Sequence, residues 1–432
     1  MSSAVEDTER PVRAGGVAGI GRLLRVLGPG LITGAADDDP SGIATYTQTG
    51  AQFGYGQLWT ALWMLPMVIG VQEACGRIGM ATGRGLAAVI KQRYSLRILR
   101  AVVLLTVVAN IINIGADIAA VGAAAGLVIP APVPLIAVLF TGLVLTVEIR
   151  LSYRRYSRIL KWLTLALFAY PLTALLVAEP WGTIARATFV PHIELSASFF
   201  YVITAVIGTT ISPYMFFWQT SQEVEEDRNS GGRRTLRDLR LDNAVGMFFS
   251  QATAWFVIIV GGTVLHNGGV TNVNTAADAA RAIQPLVHGF PHSGDIAQGL
   301  FALGIVALGM LAIPVLAGSA AYAVSEAKGW SEGLDLTPEN GRNFYGVIAA
   351  AMLIGLGLNV IGVNPIAALV FAGAFNGIAA VPLIWIIGRI AADRSVMGAS
   401  RSGPLSRITI GVSFLGMAGS AAIVVGSFVH GW

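Results

Sequence analysis

The sequence predicts an all-α, polytopic membrane protein with eleven transmembrane helices, two of which are discontinuous. Hydrophobic residues make up 54% of the 432 residues and charged residues only 12%, about half of the charged fraction of an average soluble chain. The charged residues lie in short strips between apolar runs of about 20 residues, a length that crosses a bilayer as a helix. In addition, two of these runs are interrupted by proline beside polar residues.

The predicted spans follow from hydropathy and length. We place them near residues 24–54, 57–78, 98–126, 132–149, 159–178, 197–221, 241–264, 296–325, 343–361, 365–388 and 406–429. The chain then divides into a cytoplasmic tail (1–22), a first five-helix repeat (23–178), a second five-helix repeat (197–388) and an extra C-terminal transmembrane helix (405–429).

The basic residues predict the orientation of the spans. Of the 28 lysines and arginines, 26 lie in the N-terminal segment and in alternate loops, and only Arg186 and Arg281 lie on the other side. Loops rich in Lys and Arg face the cytoplasm. We therefore expect a multi-pass protein of the plasma (inner) membrane with a cytoplasmic N-terminus and an extracytoplasmic C-terminus.

The two interrupted spans occupy corresponding places in the two halves. Residues 31–43 (LITGAADDDPSGI) contain Pro40, and residues 207–214 (IGTTISPY) contain Pro213. Proline removes a backbone donor and clashes with the preceding turn, so each helix is expected to unwind there. Paired discontinuous helices are typical of inverted-repeat secondary transporters, and their freed carbonyls and helix C-termini favour a cation near the bilayer centre.

Other function classes have little support in the sequence. A single cysteine excludes a disulfide framework, and the net charge of +4 is spread over loops, which disfavours nucleic-acid binding. We find no paired histidine ligands and no Ser/Lys couple at membrane depth, so we expect no enzyme. We expect no permanently bound cofactor and infer no obligatory protein partner beyond the lipid bilayer. A transporter of an organic substrate such as an amino acid is the alternative, although three aspartates at the first break disfavour an anionic group there.

Several motifs carry a resemblance to a known family. Residues 27–30 (LGPG), Asp39-Pro40 and residues 50–55 (GAQFGY) closely resemble the first helix of the Nramp family of divalent-metal transporters. Residues 72–87 are similar to its second helix and following loop, and residues 208–214 match the broken sixth helix. The resemblance implies a LeuT-like 5+5 inverted repeat and a divalent metal cation as the substrate.

The resemblance also implies a metal site made by the two broken helices. Asp39 matches an acidic ligand of the family, Thr209 takes the position of a ligating carbonyl, and Ser212 replaces a methionine. Gly42 stands where the family has an asparagine, and the additional carboxylate of Asp38 could compensate for it.

The replacement of methionine predicts a change in ion preference. A thioether favours soft transition metals, whereas carboxylate, hydroxyl and carbonyl oxygens suit Mg²⁺ and Mn²⁺. Gly42 is also expected to leave room for a water molecule on Mg²⁺, which dehydrates reluctantly. The pattern is similar to that of the Nramp-related magnesium transporters.

Four further residues are candidates for a proton or ion pathway. Asp117 matches the position of a proton-pathway acid in the family, but it could equally be a structural acid. Asp37 could line the pathway or be solvated at an interface, Tyr214 replaces a histidine of the family, and Asn376 could line the path or bridge helices. All five histidines fall on the predicted outer side. The acidic residues 223–227 are expected to form a solvated helix face.

Overall fold

The computed structural model describes residues 29–150, 168–177, 179–231 and 234–430, and their regular secondary structure is helical. The α-helices, in chain order, are α1 (Pro29–Asp37), α2 (Pro40–Phe53), α3 (Trp59–Thr82), α4 (Leu86–Arg93), α5 (Leu96–Ala125), α6 (Val133–Arg150), α7 (Ala169–Leu176), α8 (Trp181–Phe189), α9 (Ala197–Thr210), α10 (Pro213–Ser230), α11 (Leu236–Val260), α12 (Ala276–Arg281), α13 (Ser293–Lys328), α14 (Arg342–Leu358), α15 (Pro365–Ala392), α16 (Arg394–Met397) and α17 (Pro404–His430).

The helices agree with the predicted membrane-spanning pattern. Within the described ranges, eight helical segments are long and apolar enough to cross a membrane. Ten of the eleven predicted spans coincide with helices there. The fifth predicted span, 159–178, overlaps α7, but much of it lies outside the described residues. The tail 1–22 also lies outside them. The number of eleven spans therefore stays a prediction.

Both predicted helix breaks are present. The first span separates into α1 and α2 at Asp38 and Asp39, immediately before Pro40, and Asp39 has an extended backbone (φ −63°, ψ 170°). The sixth span separates into α9 and α10 at residues 211–212, where Ser212 is also extended (φ −85°, ψ 142°). The α-helical backbone conformation is unfavourable for the residue before a proline, which explains why each helix stops there.

Glycines bring the broken helices against their neighbours. A Cβ added to Gly34 of α1 would overlap the backbone of Gly246 on α11, and a Cβ added to Gly208 of α9 would overlap Gly373 and Gly377 on α15. Only glycine allows such close approach of two helix backbones. The two breaks are thus held by packing between small residues on each side.

Candidate metal site at the two helix breaks

Asp39 is the centre of the first break and is almost completely buried, with 1% of its surface exposed. Its Oδ1 accepts hydrogen bonds from the Ser41 hydroxyl (2.7 Å) and from the Gly42 backbone N–H (2.7 Å), so the carboxylate caps the N-terminus of α2. Its Oδ2 accepts a hydrogen bond from Asn113 Nδ2 of α5 (3.0 Å). Three donors therefore position one carboxylate at the break.

The second break faces the first through hydroxyl groups. Thr209 Oγ1 lies 3.1 Å from the Ser41 hydroxyl, which joins α9 to α2 beside Asp39. The Ser212 hydroxyl lies 2.6 Å from the Gly208 carbonyl and 2.8 Å from the Thr209 carbonyl, so it bonds back to its own helix end. A carbonyl oxygen has two lone pairs, so the Thr209 carbonyl keeps one for another partner.

Asp117 completes the set of acidic groups near Asp39. It lies on α5 one turn after Asn113, on the same helix face, and is fully buried. Within the described residues, neither of its carboxylate oxygens has a close hydrogen-bond partner, and the backbone N–H of Ser41 is the donor that approaches it. Asp117 and Asp39 are close enough for their carboxylates to repel each other when both are ionised. A cation between them would relieve this repulsion.

Asp37 and Asp38 do not join this group. The Ser250 hydroxyl of α11 donates to Asp37 Oδ2 and lies 3.4 Å from Asp38 Oδ1. The expectation that Asp38 shares one ligand set with Asp39 is therefore wrong for this structure. Successive side chains at a helix end point in different directions. Here the carboxylates of Asp37 and Asp38 face α11, whereas that of Asp39 lies beside α5 and α9.

Gly42 lies in a narrow space beside Asp37 and Asp39, and Tyr214 forms a hydrogen bond with the end of α1. A Cβ on Gly42 would lie 3.1 Å from the Asp37 carbonyl and 3.5 Å from Asp39 Oδ1, so the open space expected there for a water molecule is narrow. The Tyr214 hydroxyl donates to the Ala36 carbonyl (3.0 Å) at the end of α1. Tyr214 therefore links the two breaks.

Asn376 is buried on α15 beside Gly377, which contacts Gly208 just before the second break. Its Nδ2 has no hydrogen-bond partner within the described residues. This Nδ2 therefore keeps its capacity to donate to a partner that the described residues do not supply.

Two residues at the site had no role in the sequence-based prediction of ligands. Ser41 and Asn113 both donate to Asp39. The run Asp39-Pro40-Ser41 contains a local signal for Ser41, because aspartate is a favoured N-cap and proline a favoured first helical residue. Asn113, a polar residue in an apolar helix, could line the path or bridge helices, but its contact with Asp39 had no local signal because it spans 74 residues of sequence.

A network of charged side chains connects the N-terminus of α1 to α10 and α11. The Asp242 carboxylate on α11 accepts hydrogen bonds from the backbone N–H groups of Gly30 (2.9 Å) and Leu31 (3.0 Å). Arg234 pairs with Asp242 (2.6 Å) and with Glu223 of α10 (2.9 Å). Burial alone would lower the pKa of Arg234, but Glu223 and Asp242 outweigh it and raise this pKa. The expectation of a solvated face is thus wrong for Glu223, which is 0% exposed.

Further contacts lie at the C-terminal end of α2, on the other side of Asp39 from the charged network. The Tyr55 hydroxyl lies 2.5 Å from Thr263 Oγ1, which in turn donates to Glu179 (2.5 Å). His266 Nδ1 lies 2.8 Å from the Ala51 carbonyl. Among the described residues, Asp39 is thus buried between these contacts and the buried charged network.

The groups near Asp39 that can bind a metal ion are hard oxygen ligands. In the described ranges, no three His, Cys, Asp or Glu side chains converge as a preformed metal cage, and no lysine or arginine forms an ion pair with residues 37–39. A cation at the breaks would therefore be held by a carboxylate together with hydroxyl and carbonyl oxygens, the donor set of Mg²⁺ and Mn²⁺.

Comparison with solved structures supports the fold. The structure is similar to that of a manganese transporter from Eremococcus coleocola, solved in complex with an aromatic bis-isothiourea compound (TM-score 0.77, 17% identity, 99% of this chain and 92% of that chain). It is also similar to MhsT in complex with L-phenylalanine (TM-score 0.61, 13% identity, 91% of this chain and 98% of that chain). The predicted LeuT-like fold is confirmed.

Sequence comparisons identify the family. Two curated relatives, both described as the divalent metal cation transporter MntH, are 27% identical: one from Deinococcus radiodurans over 300 residues and one from Mesorhizobium japonicum over 281 residues. These alignments cover 67% and 62% of this chain but only 66% and 60% of the relatives. The family model "Natural resistance-associated macrophage protein-like" (Nramp) matches residues 30–427. The prediction of this family is confirmed: the chain belongs to the Nramp family.

Proposed function

We propose that this protein transports divalent metal cations of the Mn²⁺/Mg²⁺ class across the plasma membrane. The observation that carries the proposal is the position of Asp39, a buried carboxylate at a helix break with hydroxyl and carbonyl oxygens of the second break beside it. The names of the curated MntH relatives and of the Eremococcus coleocola transporter support a divalent metal as the substrate.

The proposed ligands are Asp39, the Thr209 carbonyl and Ser212. Gly42 contributes by the absence of a side chain, although the nearby Asp37 carbonyl restricts the space. Asp38 is left out of this set, because it faces Ser250 in this structure. The metal is the substrate, and no permanently bound cofactor is part of the proposal.

Transport would proceed by alternating access between the two five-helix repeats, 23–178 and 197–388. In the state described here, Asp39 is buried between contacts on both sides. Opening on one side would separate Asp242 from the N-terminus of α1, and opening on the other would separate Tyr55 from Thr263. These contacts are therefore the proposed inner and outer closures.

Asp117 is the proposed proton carrier if protons are coupled to transport. Its buried carboxylate, without a close partner in the described part of the chain, fits this role better than that of a structural acid. No histidine lies at the breaks, so an imposed pH gradient is expected to have little effect on metal uptake unless Asp117 alone carries a proton. Uptake with and without a pH gradient, in wild type and Asp117→Asn, tests this.

A divalent metal fits the site better than an organic substrate such as an amino acid. The carboxylate of such a substrate would lie next to Asp39 and Asp117 and be repelled. The complex of MhsT with L-phenylalanine shows only that the fold accommodates an amino acid in that protein.

The substitution Ser212→Met tests the proposed ion class. We expect Mg²⁺ to compete with Mn²⁺ uptake at comparable millimolar concentrations in the wild type, since the ligands are hard oxygens. Ser212→Met should shift preference toward Cd²⁺ and away from Mg²⁺ by about 1–2 kcal/mol, because sulfur favours soft ions. The measurement is competitive Mn²⁺ uptake into proteoliposomes with rising Mg²⁺ or Cd²⁺.

Ser212→Ala is the matched control for that experiment. It removes the same hydroxyl contacts with the Gly208 and Thr209 carbonyls without adding sulfur. A Cd²⁺ advantage that appears equally in both variants would assign the effect to the freed carbonyls. Wild-type Mn²⁺ uptake that a large excess of Mg²⁺ leaves untouched would refute the proposed ion class.

Reporter fusions test the proposed orientation. Alkaline phosphatase fused after Trp432 should be active and green fluorescent protein at the same place dark, because 26 of the 28 basic residues lie on the opposite side. The same two reporters fused in the loop after Ser230 should give the reverse result. A fluorescent C-terminal fusion would mean that the number of spans is even.

A further inference from the structure

A cavity lies to the side of the metal site, between α1, α7 and α11. Its volume is about 430 Å³, within the range of pockets that bind small organic molecules. Phe248, Phe249 and Phe256 contribute aromatic walls, and Asp38, Ser250 and Thr253 provide the polar groups. Among the described residues, the lining of the cavity is therefore mostly apolar, and Asp38 is its one carboxylate.

The Asp38 carboxylate is poorly compensated in this structure. It is 3% exposed, and in the described part of the chain no basic side chain pairs with it. The Ser250 hydroxyl near it also contacts Asp37, and the Thr253 hydroxyl also lies 3.0 Å from the Phe249 carbonyl. Because each hydroxyl has one proton, these shared donors leave Asp38 with capacity for another partner.

Within the part of the chain that the structure describes, the cavity opens on the outer surface of the helices. Phe248 and Phe249 are 56% and 55% exposed and lie on a helix of a membrane-spanning segment. A ligand that reaches the cavity therefore comes from the hydrocarbon region of the bilayer and must itself be largely apolar.

We propose that this cavity binds an amphiphilic organic cation, a protonated amine with aromatic substituents. The ammonium group would pair with Asp38, and the aromatic substituents would pack against the phenylalanines. Aromatic ring faces also attract cations, which adds to the preference for a positive charge. The proposal concerns a ligand that differs from the transported metal and a place outside the Asp39 site.

The position of the cavity predicts a consequence for transport. Gly34 and Gly246, at the tight contact between α1 and α11, both line it. A bound cation would fill the space beside α1 and oppose its movement away from α11, so it would inhibit uptake. Inhibition rests on the proposed transport function, whereas binding does not, and the two are measured separately.

The test uses dibenzylamine, which is protonated at neutral pH, and dibenzyl ether, a neutral analogue of the same shape. Binding to the purified full-length protein in nanodiscs is measured by calorimetry without any metal. We expect the amine to bind at least tenfold more tightly than the ether in the wild type. Equal affinity for the two compounds, or no binding of the amine, would overturn the proposal, since an apolar cavity filled by lipid chains has no preference for charge.

Three variants locate the binding site. Asp38→Asn should remove the preference for the amine and leave ether binding unchanged, and Ala35→Phe should weaken both because it fills the cavity. Leu62→Trp is the matched control, because it fills a neighbouring apolar cavity of about 300 Å³ without an acidic residue. Loss of amine binding in Leu62→Trp but not in Ala35→Phe would place the ligand elsewhere and refute the proposal. Normal gel-filtration profiles establish that each variant is folded.

Discussion

Asp39→Ala is expected to abolish divalent-cation uptake into proteoliposomes while the protein still elutes as the wild type does. The substitution removes the central proposed ligand and the acceptor of three hydrogen bonds. Loss of the N-cap costs about 0.5–2 kcal/mol, and the elution profile shows whether the variant still folds. The measurement is Mn²⁺ uptake at saturating concentration.

Two further variants separate the ligand role from the capping role. Asp39→Asn keeps an oxygen that accepts from the Gly42 N–H but removes the charge, so uptake should still be lost. Asp393→Ala is the matched control, because Asp393 is also an N-cap aspartate but lies at an exposed helix start. Its uptake should be close to wild type. Uptake by Asp39→Ala at half the wild-type rate would remove Asp39 from the site.

Arg234→Gln is expected to open the side of the protein that carries the N-terminus of α1. The substitution leaves Glu223 and Asp242 buried next to each other without their shared cation. Removing one partner of a buried ion pair costs about 3–5 kcal/mol, which corresponds to a shift on the order of 100-fold or more in the equilibrium between closed and open states.

Cysteine labelling measures this opening. Thr33 is fully buried in the closed state, where its hydroxyl contacts Gln219 (2.5 Å). In a Cys75→Ser background, Thr33→Cys should react with a membrane-impermeant maleimide added to the cytoplasmic side at least tenfold faster when Arg234→Gln is present. Arg93→Gln breaks an ion pair between partly exposed side chains and should leave the rate unchanged. Equal labelling rates in all three proteins would show that the charged network does not hold α1.

The sequence by itself determined the membrane class, the approximate span positions and both helix breaks. These features depend on local chemistry. Apolar runs of bilayer length must form helices to satisfy their backbone groups, and proline stops the helix at Asp39 and at Ser212 wherever the rest of the chain lies. The motif at residues 50–55 and those around the two breaks were specific enough to identify the family.

Only the tertiary structure decided which polar groups meet. The sequence contains three adjacent, chemically identical aspartates, at positions 37, 38 and 39. In the structure the first two face Ser250 on α11, whereas Asp39 lies beside α5 and α9. Glu223 was expected to be solvated, but Arg234 pairs with it in the structure. The contact of Asp242 with the N-terminus of α1 joins residues 211 and 212 positions apart. Directions of side chains at an unwound helix follow from the helices that pack around it, and hydropathy and proline positions carry no information about that packing.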